Sequence, residues 1–177
     1  MEIRLLRESD DRSRFRCGDI DLDRFLQRYA GQNQFRHHVG TTYVAVQAER
    51  ILGYVTVAPG QVEIDDLPAS LRRRLPNYPL PVLRIGRLAV DESVRGQGIG
   101  RPLLRFALQL TVRLGREFGC VGVVVDAKPD AVSFYEKLGF MPLETLEGQS
   151  EARPAPTALF LTIREIEAAG KRDRQPG

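Results

Sequence analysis

The chain has no tryptophan, and among its 177 residues there are only two cysteines and two histidines. Cys17 and Cys120 are too few for the bridged framework of a small secreted fold, and neither has metal-ligand spacing to another Cys or His. His37 and His38 stand side by side with no further histidine, so a zinc site lacks ligands and the pair reads as solvated loop. No metal is expected. No apolar run approaches the ~20 residues that span a bilayer, and no signal-peptide core precedes the strand-like stretch at 2–7. Charge is not one-sided either: 26 Lys and Arg against 23 Asp and Glu leave +3, which does not by itself argue nucleic-acid binding. The expectation is a cytoplasmic protein with reduced, buried thiols and no membrane contact.

With 42% hydrophobic and 28% charged residues, the chain carries enough apolar mass for one folded domain, expected over 1–164. A charged segment, 165–177, is expected to fray as a flexible tail. Period and turn chemistry predict the elements between. A strand over 2–7 precedes a helix over 21–34, where Leu22, Phe25, Leu26 and Tyr29 share one face and Asp19 or Asp21 caps the start. Strands at 41–48 and 51–57 form a hairpin turning at Glu49-Arg50. Asp66-Leu67-Pro68 opens a short helix with Leu67, Leu71 and Leu75 on one side and Arg72, Arg73 and Arg74 around it. After a turn at 77–81 come strand 82–91, helix 98–118, strand 121–126, helix 129–138, strand 140–145, a loop at 148–156 and a strand at 157–163.

The densest signal lies between strand 82–91 and its following helix. Ile85, Leu88, Ala89 and Val90 lead into Asp91-Glu92-Ser93, and then into Arg95-Gly96-Gln97-Gly98-Ile99-Gly100-Arg101. A glycine-rich turn opening a helix gathers unpaired backbone N–H groups at the positive end of a helix dipole, which is an anion site. It is not a P-loop, because Arg101-Pro102 stand where Lys and Ser or Thr are needed. The glycine spacing and the neighbouring turns also fit a dinucleotide fingerprint poorly.

The stretch resembles motif A of the GNAT N-acetyltransferases, R/Q-x-x-G-x-G/A, through Arg95, Gly98 and Gly100. Residues 128–140, KPDAVSFYEKLGF, resemble the second signature of that family at Ala131, Phe134, Tyr135, Gly139 and Phe140. The element order fits as well. The resemblance implies the GNAT fold, an α/β architecture with a mixed, mostly antiparallel sheet of about seven strands flanked by helices. Its fourth and fifth strands would splay around acetyl-CoA. Within the family, the middle of the chain is similar to the GNAT toxins of bacterial toxin–antitoxin pairs, which acetylate the α-amine of aminoacyl-tRNA. Such toxins are usually neutralised by a ribbon-helix-helix antitoxin, and many are homodimers.

The resemblance assigns roles. Leu88, Ala89 and Val90 would lie along the pantetheine through main-chain groups. The amides of Gln97 to Arg101, with Gly96 in the same turn, would hold the pyrophosphate, and the Arg95 and Arg101 side chains would help. Lys128 falls where many members carry an Asn at the cofactor, and Phe134 would flank it. Tyr135 would be the acid for the departing thiolate. A phenol of pKa about 10 is a weaker acid than a thiol of about 8.5, so it protonates sulfur only while hydrogen-bonded to it as charge develops. The strand before the motif carries Arg84 and Arg87 and no carboxylate, which leaves Asp126 as a remote candidate base. A base is dispensable for an α-amine, with pKa about 7.7–8.0, and not for a lysine near 10.4. Arg72, Arg73, Arg84 and Arg87 are the candidates for gripping tRNA. The alternatives are acetylation of a small amine or a protein N-terminus, and a CoA-binding module without catalysis.

Overall fold

A computed structural model describes residues 1–147 and 155–173. Its seven strands follow the order β1-β2-β3-β4-β5-β7-β6. These are β1 (Glu2–Leu5), β2 (Thr41–Gln47), β3 (Arg50–Val62), β4 (Leu80–Val90), β5 (Gly122–Ala127), β6 (Met141–Glu147) and β7 (Thr157–Thr162). β4 and β5 run parallel, joined through the helix α4 (Gly100–Glu117), the kind of crossover that parallel strands require. Chain contacts divide into two compact units, Met1–Ala58 with Ile85–Ala107, and Pro59–Arg84 with Leu108–Gly177.

In the first unit β1 and β3 both pair antiparallel with β2. The β2–β3 turn sits on Ala48 and Glu49, both with positive φ (47° and 62°), one residue earlier than expected. Two left-handed residues match the twist of a tight hairpin. Asp19 caps α1 (Ile20–Arg24) by accepting from the N–H groups of Asp21 at 3.0 Å and Leu22 at 3.1 Å. The helix then widens into a π segment, Phe25–Tyr29, returns to α2 (Ala30–Gln32), and widens again at Asn33–His37. This corrects the expected face. The N–H of Ala30 reaches back five residues to the Phe25 carbonyl, so Ala30 turns inward (1% exposed) and Tyr29 turns out (43%). Leu6, Phe15, Phe25, Leu26, Val44 and Tyr54 form the core here, and the Tyr54 hydroxyl donates to the Leu22 carbonyl at 2.8 Å. Gly53 of β3 is pressed hard: a Cβ there would lie 2.8 Å from Leu103 Cδ1 and 2.9 Å from the Ala89 carbonyl.

In the second unit β7 pairs antiparallel with both β5 and β6. Val62, Leu67, Leu80, Val82, Val124, Leu143 and Phe160 are its buried core. Leu71 and Leu75 pack against that core as the sequence implied, although α3 (Ala69–Arg72) is only one turn long. The α5 helix is likewise shorter than expected, at Val132–Glu136. The segment expected to fray, 165–177, holds most of α6 (Ile163–Arg172), which is started by a capping box in which Thr162 and Glu165 bond each other's N–H groups. The loop expected at 148–156 lies mostly outside the described residues, as does the end of the chain after 173. Among the described residues no helix is long and apolar enough to cross a membrane, and no His, Cys, Asp and Glu cluster suits a metal ion.

Candidate active site

In the C-terminal half of β4, Ile85, Arg87 and Ala89 share one face and Gly86, Leu88 and Val90 the other. Ile85 and Ala89 are buried, while Leu88 and Val90 are half-buried. Arg87 is exposed, its guanidinium carbon 3.8 Å above the centre of the Phe25 ring. After β4 the chain makes a short 3-10 turn, Glu92–Val94, and then the glycine loop. Gly96 and Gly98 both have φ +80°, the left-handed conformation that disfavours any side chain. A Cβ at either would meet no atom within 4 Å. The glycines therefore serve the backbone path and leave a surface of main-chain atoms. The loop ends in α4, whose first N–H groups, at Gly100 and Arg101, lack intrahelical acceptors. Pro102 adds no donor. One expected donor is already committed: the Gln97 N–H bonds the Val94 carbonyl at 3.2 Å.

Arg95, exposed before the glycines, has one side-chain donor engaged. Its Nη2 donates to the Cys17 carbonyl, tying the loop to the segment before α1. Asp91 is buried at the end of β4 and accepts from Ser93 N–H (3.1 Å), Ser93 Oγ (2.5 Å), Arg50 Nη2 (3.1 Å) and Arg16 N–H (3.1 Å). Burial alone would raise its pKa, but these donors hold the carboxyl below its ordinary value. The sequence reading missed this cluster, since its partners lie up to 75 residues away.

The second unit presents the aromatic group. Tyr135 is buried on α5, in edge-to-face contact with Phe134 (5.1 Å) and Phe140 (5.4 Å). Burial pushes its phenol up to about 12. Gly139, with φ +95°, ends the turn, and the Phe140 N–H bonds the Tyr135 carbonyl at 3.2 Å. Half-buried Lys128 closes the turn before α5, its carbonyl accepting from the Ala131 N–H at 2.8 Å.

Two candidates neutralise each other. Arg84 Nη2 donates to Asp126 Oδ1 at 3.3 Å, and Arg84 Nε lies 3.1 Å from Oδ2 without aiming its hydrogen there. Asp126 is thus paired with a cation rather than poised as a base, and Arg84 is occupied within the sheet. Arg72 and Arg73 are exposed. Arg101 is exposed at the start of α4.

Residues 38–142 match the acetyltransferase (GNAT) domain pattern. A tRNA-acetylating toxin of Mycobacterium tuberculosis is 33% identical over 138 residues, which is 77% of this chain and 82% of that one. Among solved structures, AtaT complexed with acetyl-methionyl-tRNAfMet superposes with a TM-score of 0.82 at 31% identity, covering 96% of this chain and 98% of AtaT. A variant AtaT toxin bound to the C-terminus of the antitoxin AtaR and acetyl-CoA gives 0.76 at 28% identity, covering 96% and 97%.

Proposed function

The chain belongs to the GNAT acetyltransferases and is an acetyl-CoA-dependent N-acetyltransferase, and from that premise we propose that it acetylates the α-amine of aminoacyl-tRNA as a translation-blocking toxin. The observation that carries this reading is the pairing of Asp126 with Arg84. β4 has no carboxylate, and the candidate on β5 is held by a guanidinium. A site furnished in this way suits an amine that is already largely neutral. An α-amine has a pKa of about 7.7–8.0, and an adjacent ester lowers it further, whereas a lysine near 10.4 stays charged. Similarity to a tRNA-acetylating toxin over most of the chain supports the same acceptor.

The residues fit the co-substrate. The glycine loop leaves main-chain donors and open space, the requirement for a pyrophosphate, with the amides from Gly98 to Arg101 holding it. Leu88, Ala89 and Val90 would contact the pantetheine through main-chain groups, and Lys128 and Phe134 are the further residues this reading assigns to the co-substrate. Acetyl-CoA supplies the acetyl thioester. Tyr135 Oη keeps its proton throughout the working pH range and releases it toward the leaving sulfur only as negative charge builds there. The antitoxin is of the ribbon-helix-helix type, and the toxin is a cytoplasmic homodimer. The AtaT structure that carries an antitoxin C-terminus supports such a partner.

The test uses charged tRNA and a minimal primary amine side by side. Changing Arg72 and Arg73 to Glu should lower acetylation of charged tRNA about 10-fold at low salt and spare the minimal amine, since basic side chains bind phosphate through salt-sensitive contacts. Added salt should reproduce the effect. A parent enzyme that acetylates free amines well and no charged tRNA would move the acceptor to a small amine or a protein N-terminus.

A further inference from the structure

We propose that Asp91 is a positioning residue for acetyl-CoA, clasping the glycine loop to the Arg16–Cys17 segment in the shape that receives the pyrophosphate. The proposal rests on the loop being the pyrophosphate site. Glycine permits a left-handed path but confers no stiffness, because it has more conformational freedom to lose than any other residue. A site made of main-chain donors works only when those donors are fixed beforehand. The stiffness must therefore come from beside the loop.

The clasp supplies it. Asp91 Oδ2 takes the Arg16 N–H at 3.1 Å, and the Glu92 N–H returns to the Arg16 carbonyl at 2.7 Å. One residue further, Arg95 Nη2 holds the Cys17 carbonyl. The segment they grip is itself anchored, since the Cys17 N–H bonds Asp23 Oδ1 at 2.7 Å. Oδ1 of Asp91 meanwhile binds both donors of Ser93 and the Arg50 guanidinium, fixing the 3-10 turn that feeds the glycines. Both ends of the stretch from Asp91 to Arg95 are thus tied to one strut. Charge makes the role clearer. A carboxylate on the loop that receives a phosphate opposes binding by its charge, so its contribution has to be geometric.

The experiment measures acetyl-CoA affinity by calorimetry, with kinetics on acetyl-CoA and on acetyl-pantetheine, a thioester without the pyrophosphate. Asp91→Asn should raise the acetyl-CoA Kd and KM roughly 10-fold or more, the scale of losing hydrogen bonds to a charged group. kcat at saturation and kcat/KM for acetyl-pantetheine should hold. Because Asn removes a negative charge, tighter or equal acetyl-CoA binding overturns the proposal. Equal losses on both thioesters overturn it too, since general loosening acts that way. Should Asp91→Asn not fold, the exposed pair Arg50→Met with Ser93→Ala decides, with about a 5-fold loss expected on acetyl-CoA alone. Gly98→Glu tests the reading underneath: if it leaves acetyl-CoA affinity unchanged, the loop is not the site and the proposal falls with it. If Gly98→Glu abolishes binding while the other variants match the parent, only the clasp falls.

Discussion

The turn after β4 and the turn after β5 each lead a strand into a helix, yet they are furnished in opposite ways. The first is a polar weave: Asp91, Ser93, Arg50, Arg16 and Arg95 bind one another or the backbone, and the residues that carry the chain on toward α4 include the left-handed Gly96 and Gly98. The second is aromatic, with Phe134 and Phe140 set edge-on against Tyr135. Donors that belong to the main chain cannot be moved by rotamers, so the loop must be stiffened by side chains elsewhere. A donor that belongs to a side chain needs its ring held and its proton retained, and apolar packing does both.

The most damaging change to this contrast is a charged side chain in the first turn. Gly98→Glu should weaken acetyl-CoA binding more than ~10²-fold, adding left-handed strain and a negative charge at the anion site. Gly98→Ala carries the strain alone and should lose less. Calorimetry that returns the parent's affinity for the Glu variant would take the loop out of the site.

In the second turn, Tyr135→Phe should leave acetyl-CoA affinity intact and cut turnover by roughly 10²-fold, within the range for losing a general acid. A pH profile sharpens the point. The burial-raised phenol, near 12, keeps its proton below that value, so it creates no alkaline limb at ordinary pH. Rate should rise as the acceptor amine loses its proton and then stay level to about pH 10. An alkaline fall well below that, absent in the Phe variant, would give Tyr135 a lower pKa than its packing implies.

The smallest effect belongs to neither turn. Thr162→Ala removes the α6 cap, in which Thr162 Oγ1 accepts from the Glu165 N–H at 3.2 Å. The cost should be about 1 kcal/mol, or a few degrees in Tm for a chain of this size. Both turns should keep their function. A loss of acetyl-CoA affinity in this variant would show that the contrast between the turns depends on the far end of the chain.

The sequence made some features legible and hid others for physical reasons. Gly96 and Gly98 were readable because a left-handed turn restricts residue choice locally. The Tyr135 turn was readable only through its resemblance to the family's second signature, since an aromatic pair by itself reads as core. β3 was cut short at Val57 because Pro59 and Gly60 are turn-type residues, although the strand runs through them to Val62. α6 was hidden by its charge, while its Thr-x-x-Glu start stood in plain view. The grip of Arg95 on Cys17 spans 78 residues and has no local signature. Arg84 and Asp126 were each assigned a function, when adjacent strands had paired them.

The wide turn at Phe25–Tyr29 is also a store of chain length. Its i→i+5 bond holds one residue more than an α-turn between the same two inward positions, Phe25 and Ala30. Deleting Arg28 would close the turn to ordinary α geometry and leave both flanking residues facing the core. The same deletion in a regular helix rotates everything downstream by about 100°, the angle of one residue at 3.6 per turn. At this point the helix can lose a residue without turning its far end away from the core.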